Sequence, residues 1–122
     1  MDFEFSQDEQ RFLRDVDAFL EANHDPRVMD PSRAFITKLT GRGWIGITSP
    51  KEYGGQGGRG FYEYLLNEKL SSVGAPQLGK GTGVVGKTLI KVASEKLKQE
   101  FLPKILNSEI EFASGYSEPS AG

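Results

Sequence analysis

The chain has 122 residues, of which 37% are hydrophobic and 26% charged, and a net charge of -2. That is one soluble globular domain's worth of chain, long enough to bury roughly two-thirds of the surface its unfolded form exposes. It has no cysteine and one histidine, so disulfides, thiolate catalysis, cysteine-based zinc sites and a multi-histidine metal centre are excluded; the mild acidity argues against nonspecific nucleic-acid binding.

The opening, MDFEFSQDEQ, is acidic and does not read as a signal or transit peptide, and no apolar run approaches the ~18 residues of a membrane span. The expected compartment is therefore the cytoplasm. Ser6 with Glu9 three residues on forms a capping box, and Phe12, Leu13, Val16, Phe19 and Leu20 then fall on one helical stripe. Asn23 and Pro26 mark the end of this first helix. His24 sits where the helix dipole favours a histidine, which explains it without a catalytic role. Asp30-Pro31 reads as the cap and first turn of a second helix, with Phe35, Ile36 and Leu39 on its buried face and Gly41 or Gly43 ending it. Trp44, Ile45 and Ile47 follow as an extended apolar cover over the core. Residues 49–60, SPKEYGGQGGRG, are a glycine-rich loop.

A third helix is expected over 61–73. Tyr62, Leu65, Leu66, the stem of Lys69 and Val73 line one face, with Phe61 and Leu70 on its edges. Residues 78–93 are ambiguous. Val84, Val85, Leu89, Ile90 and Ala93 fit a helical stripe, but Gly79, Gly81, Gly83 and Gly86 each cost about 1 kcal/mol against alanine inside a helix. Ser94 caps a further helix with Leu97, Phe101, Leu102, Ile105 and Leu106 as its stripe and a kink expected at Pro103. From Ile110 to Tyr116 the pattern alternates with a period of two, hence a strand or extended segment. The uncapped SEPSAG ending reads as a cut chain. The expected fold is all-α: an orthogonal or antiparallel bundle of about five helices with a short extended C-terminal segment.

Charge is uneven. Acids dominate residues 1–30, against Arg11, Arg14 and Arg27, whereas residues 80–104 carry Lys80, Lys87, Lys91, Lys96, Lys98 and Lys104 against Glu95 and Glu100. Solvated helix faces of opposite sign explain this; a basic face for an acidic ligand such as a nucleotide is the alternative. Residues 81–88, GTGVVGKT, match both the P-loop and the dinucleotide glycine patterns. Both need a buried strand before the first glycine, and residues 71–80 offer none, with Pro76 obstructing strand pairing. No aspartate follows Asp30 to hold magnesium. Close packing is the better use of these glycines. A P-loop protein and a free-standing helical interaction module remain the alternatives in function.

Several segments together resemble the N-terminal helical domain of the acyl-CoA dehydrogenases. They are the Phe-Ser-x-x-x-Gln-type start of the first helix and Gly43-Trp44-Ile45-Gly46-Ile47. Pro50-Lys51-Glu52-Tyr53-Gly54-Gly55, Phe101-Leu102-Pro103-Lys104-Ile105 and the terminal Ser117-Glu118-Pro119-Ser120-Ala121-Gly122 complete the set. The resemblance implies that residues 1–122 are that domain, without the central β-domain, the C-terminal four-helix domain or the catalytic glutamate. It implies an FAD enzyme that removes a proton from Cα and a hydride from Cβ of an acyl-CoA, working as a homo- or hetero-oligomer. It places Gly115, Tyr116 and Ser117 beside the flavin, with Ser117 Oγ where threonine is commoner. It places Gly122 at the thioester side, and Gly83 and Gly86 on a helix lining the acyl pocket, where missing side chains would admit a branched or ring-bearing acyl group. No catalytic residue is expected within the chain. Glu118 is read as a turn residue bonding local backbone. The chain alone is expected to be inactive and to retain FAD weakly or not at all.

Overall fold

The capping box forms at Ser6: the Glu9 N–H donates to Ser6 Oγ at 3.2 Å, and the Ser6 N–H donates to Glu9 Oε2 at 2.8 Å. It starts α1, Gln7–Asn23. The computed structural model describes residues 4–27 and 33–121. The helices that follow are α2 (Arg33–Gly41), α3 (Gly60–Ser72), α4 (Lys87–Val92) and α5 (Glu95–Leu106). A 3-10 turn occupies Lys51–Tyr53, and a π-helical turn occupies Gly81–Gly86 immediately before α4. The fold is all-α, as expected. The Asp30-Pro31 start foreseen for α2 lies outside the described residues.

Three helices stop by the same device. After α2, Trp44 N–H bonds back to Leu39 C=O and Gly43 N–H to Thr40 C=O; after α3, Ala75 bonds to Leu70 and Gly74 to Ser71. Both are Schellman stops with a left-handed glycine, at φ 73° in Gly43 and 67° in Gly74. After α5 the bonds run from Glu109 to Lys104 and from Ser108 to Ile105, but the left-handed residue is Ser108, at φ 57°. The sequence gives no glycine signal for that third stop. α5 itself runs through Pro103 to Leu106.

α1 packs on α3, with α2 and residues 44–47 closing one core over Val16, Leu39, Leu66 and Leu70. Edge-to-face rings thread it: Phe12 lies 5.1 Å from Tyr62 and 5.6 Å from Trp44, and Phe19 lies 5.3 Å from Trp44 and 5.6 Å from Phe35. The 44–47 stretch covers this core through turns and bends. A second core is built on Leu102, Ile105 and Tyr53, with Val85, Leu89, Ile90, Ile110 and Phe112 packed against it.

Some expected faces shift. Val73 is exposed and Leu70 fully buried, because α3 ends at Ser72 and Val73 leaves the helical phase in the cap. Val84 is exposed because a π turn takes more residues per turn and displaces a stripe counted at 3.6. Leu97, in the first turn of α5, is also exposed. The alternation at 110–116 does not produce a strand. Among the described residues only an isolated bridge pairs Glu118 with Ala121, and the backbone of residues 110–117 makes no backbone hydrogen bond. The segment is extended, and its period of two comes from Ile110 and Phe112 resting on the second core, not from sheet pairing.

Candidate functional site

The glycine loop between α2 and α3 is anchored by Tyr53. Its ring is buried in the second core, and its hydroxyl donates to Glu95 Oε1 at 2.5 Å in the first turn of α5. That bond, with burial and the nearby Glu52 and Glu95 carboxylates, pushes the phenol up to about 12. The two glycines that follow have separate causes. Gly54 sits at φ 96°, where a side chain is strained, and a Cβ on Gly55 would collide with the backbone of Ser49. An aromatic residue isolated among glycines has no periodicity, so the pattern gave no sign that Tyr53 belongs to a core.

The π turn at 81–86 is the second component. Gly86 is buried, and a Cβ there would lie 2.9 Å from the Gly81 carbonyl oxygen; a Cβ on Gly81 would lie 3.3 Å from the Phe112 ring. Gly83 faces open space. Lys87 Nζ donates to Glu63 Oε1 at 2.5 Å, while Glu63 Oε2 accepts from Thr48 Oγ1 at 2.7 Å. Thr88 Oγ1 donates to the Val84 carbonyl at 2.9 Å. A P-loop would need these backbone amides curled into a cradle and this lysine and hydroxyl aimed into it. Here the glycines are helical, and both side chains are committed to the fold.

The third component is the extended segment after α5. Thr40 and Ser108 hydroxyls meet at 3.0 Å and Lys80 Nζ donates to Ser114 Oγ at 2.5 Å, so the segment is tethered to α2 and to the start of the π turn. Beyond Ser114 it projects. Gly115, Tyr116 and Ser117 are exposed, Tyr116 to 90%. The turn that follows is closed by main-chain atoms, Glu118 N–H to Ala121 C=O at 3.4 Å and Ala121 N–H to Glu118 C=O at 3.1 Å. The Glu118 carboxylate, expected to bond local backbone, is exposed instead and takes no part in that closure. Gly122 lies outside the described residues. His24 bonds the Val73 carbonyl at 3.0 Å and so joins the ends of α1 and α3. No cluster of three or more metal-ligating side chains occurs among the described residues.

The profile of the acyl-CoA dehydrogenase N-terminal domain matches residues 6–109. The chain belongs to the acyl-CoA dehydrogenase N-terminal domain family. Acyl-CoA dehydrogenase FadE26 of Mycobacterium tuberculosis is 33% identical over 90 residues, covering 74% of this chain and 22% of that protein. Mitochondrial isovaleryl-CoA dehydrogenase of Bos taurus is 35% identical over 128 residues, covering 94% of this chain and 30% of that protein. Among solved structures, the Tcur3481-Tcur3483 steroid ACAD superposes with a TM-score of 0.83 at 33% identity, over 100% of this chain and 34% of that one. The ChsE4-ChsE5 complex of Mycobacterium tuberculosis gives 0.84 at 27% identity, over 100% of this chain and 33% of that one. The chain thus spans about a third or less of the acyl-CoA dehydrogenases it matches. No helix among the described residues is long and apolar enough to cross a membrane.

Proposed function

We propose that this chain is the N-terminal helical part of a cytoplasmic, oligomeric, FAD-dependent acyl-CoA dehydrogenase that supplies a flavin-flanking segment and part of the acyl pocket wall. The observation that carries the reading is the backbone of residues 110–117, extended, tethered through Ser108 and Ser114, and without backbone hydrogen bonds of its own. Main-chain N–H and C=O groups take partners, and those of the exposed residues 115–117 are left open to water or to a ligand. The pyrimidine edge of an isoalloxazine alternates donors and acceptors and supplies such partners, so the donor set at Gly115, Tyr116 and Ser117 fits the cofactor. Ser117 Oγ both donates and accepts. When bound, FAD takes the hydride that leaves Cβ of the acyl-CoA. The chain's own residues would hold and orient: Tyr116 and Ser117 would border the ring edge, Gly122 would stand on the thioester side, and Gly83, which faces open space, would keep a side chain out of the acyl path, whereas Gly86 is occupied in packing against Gly81. The base that removes the Cα proton comes from outside these 122 residues.

The absence of a side chain at Gly83, which faces open space, favours a branched or ring-bearing acyl group. The likeness to a solved steroid ACAD supports that reading. The experiment is to express the reading frame through its remaining domains. That product should purify yellow and reduce an artificial acceptor with a bulky acyl-CoA, and Ser117→Ala should lower its flavin occupancy. The 122-residue chain alone should purify colourless. A longer product without flavin, or one active only on short straight-chain acyl-CoA, overturns the function or the substrate class respectively.

A further inference from the structure

A cleft of about 360 Å³ opens between α2, residues 76–82 and residues 105–112. Its size lies within the range of small-molecule sites, ~300–1,000 Å³. The floor is apolar. Ile45 and Ile105 belong to the two cores, and Ile36, Ile110 and Phe112 are only half-buried, so they keep apolar surface to offer. Gly79 and Gly81 line the cleft without side chains, and the tether from Lys80 to Ser114 holds its outer wall in place.

The charged groups lining it are Arg33, Lys80 and Glu111. Neither cation has a carboxylate partner among the described residues, a state they share with Lys91, Lys96 and Lys98. Lys80 uses one N–H on Ser114, and an ammonium has three to give. The Thr82 and Ser108 hydroxyls and the Gln77 amide add neutral hydrogen-bonding groups. Two cations against one acid favour a single negative charge. Glu111 in the same wall opposes a second one, which separates a carboxylate from a phosphate dianion.

We infer that this cleft binds an apolar, ring-sized monocarboxylate, with its body on Ile36, Ile105 and Phe112 and its carboxylate at Lys80 and Arg33. The site stands whether or not the acyl-CoA reading does, because the probes and readout use neither flavin nor turnover. The carboxylate can belong to a free acid or to the far end of an acyl-CoA.

The test is an amide-resolved NMR titration of the ¹⁵N-labelled chain with 4-phenylbutyrate, its neutral amide, its phosphate-headed analogue and suberyl-CoA. Saturable shifts at Gly79, Gly81, Thr82, Ser108 and Phe112 are expected with the carboxylate. The amide and the phosphate should each bind roughly tenfold more weakly, the scale of one charge-assisted hydrogen bond. Arg33→Gln, which spares the Ser114 tether, should weaken the carboxylate about tenfold and leave the amide unchanged, and Lys80→Met, which also releases that tether, should weaken the carboxylate by at least as much. Glu111→Gln should bring the phosphate level with the carboxylate. Suberyl-CoA shifting the same amides assigns the carboxylate to a thioester substrate, and phenylbutyrate alone doing so assigns it to a free acid. No saturation by either carboxylate at 10 mM, on the order expected for such fragments, overturns the site. Equal affinity for carboxylate and amide, or indifference to both substitutions, overturns the charge recognition.

Discussion

Alanine at each glycine of the π turn separates packing from phosphate binding as the reason for GTGVVG. At Gly83 a Cβ meets nothing within 4 Å, so alanine there removes only the extra freedom of glycine in the unfolded chain. It should stabilise the protein by about 0.4–1 kcal/mol. At Gly86 the Cβ would stand 2.9 Å from the Gly81 carbonyl oxygen and 3.8 Å from Ile105 Cγ2. The first of these is backbone and can yield only if the π turn itself deforms, so Gly86→Ala should cost about 1–3 kcal/mol as overpacking does. The two variants should therefore differ by roughly 1.5–4 kcal/mol, or about 5–15 °C in melting temperature for a chain this size. Trp44 is the single tryptophan and is buried in the first core, so its fluorescence in a urea titration reports unfolding directly. Gly86→Ala matching Gly83→Ala in midpoint would refute the packing account of the turn.

Leu102 is fully buried in the second core, and Leu102→Ala should cost about 3–5 kcal/mol with the slope of the urea transition unchanged. Ser6→Ala removes the capping bond to Glu9 and should cost about 1 kcal/mol by the same assay. The Tyr53 phenol is raised from 10.0 to about 12 by its bond to Glu95, so the protonated form is the one favoured in the fold. Its contribution is complete below pH 10 and disappears as pH climbs through 12. Wild type should lose more stability than Tyr53→Phe across that interval in urea titrations at stepped pH, and parallel losses would remove the bond from the account. Fluorescent ATP with magnesium should show no saturable binding at about 1 mM, since Lys87 and Thr88 are engaged within the fold.

The start of the first helix was legible to the residue, and its end only to within Asn23 and Pro26, because a capping box and a 3.6-residue stripe are local physics complete within Ser6–Leu20. Gly74 was legible as a stop for the same reason, a left-handed turn demanding a residue type, whereas the sequence left Gly41 and Gly43 as alternatives and the structure chose Gly43. The order of the motifs through Ser117-Glu118-Pro119 sufficed to indicate the family, since it needs no knowledge of contacts. What lay outside the sequence depends on which elements meet. The π turn, and with it the exposure of Val84, follows from Gly86 being pressed against Gly81 while α5 packs alongside. Tyr53 becomes a core residue because α5 brings Leu102 and Ile105 to its ring and Glu95 to its hydroxyl. The alternation at 110–116 announces one face at rest and one face free, and the sequence has no means to say whether a neighbouring strand or a helical core provides the rest. The tertiary packing chose the core, and so left that backbone unpaired where the proposed cofactor segment begins.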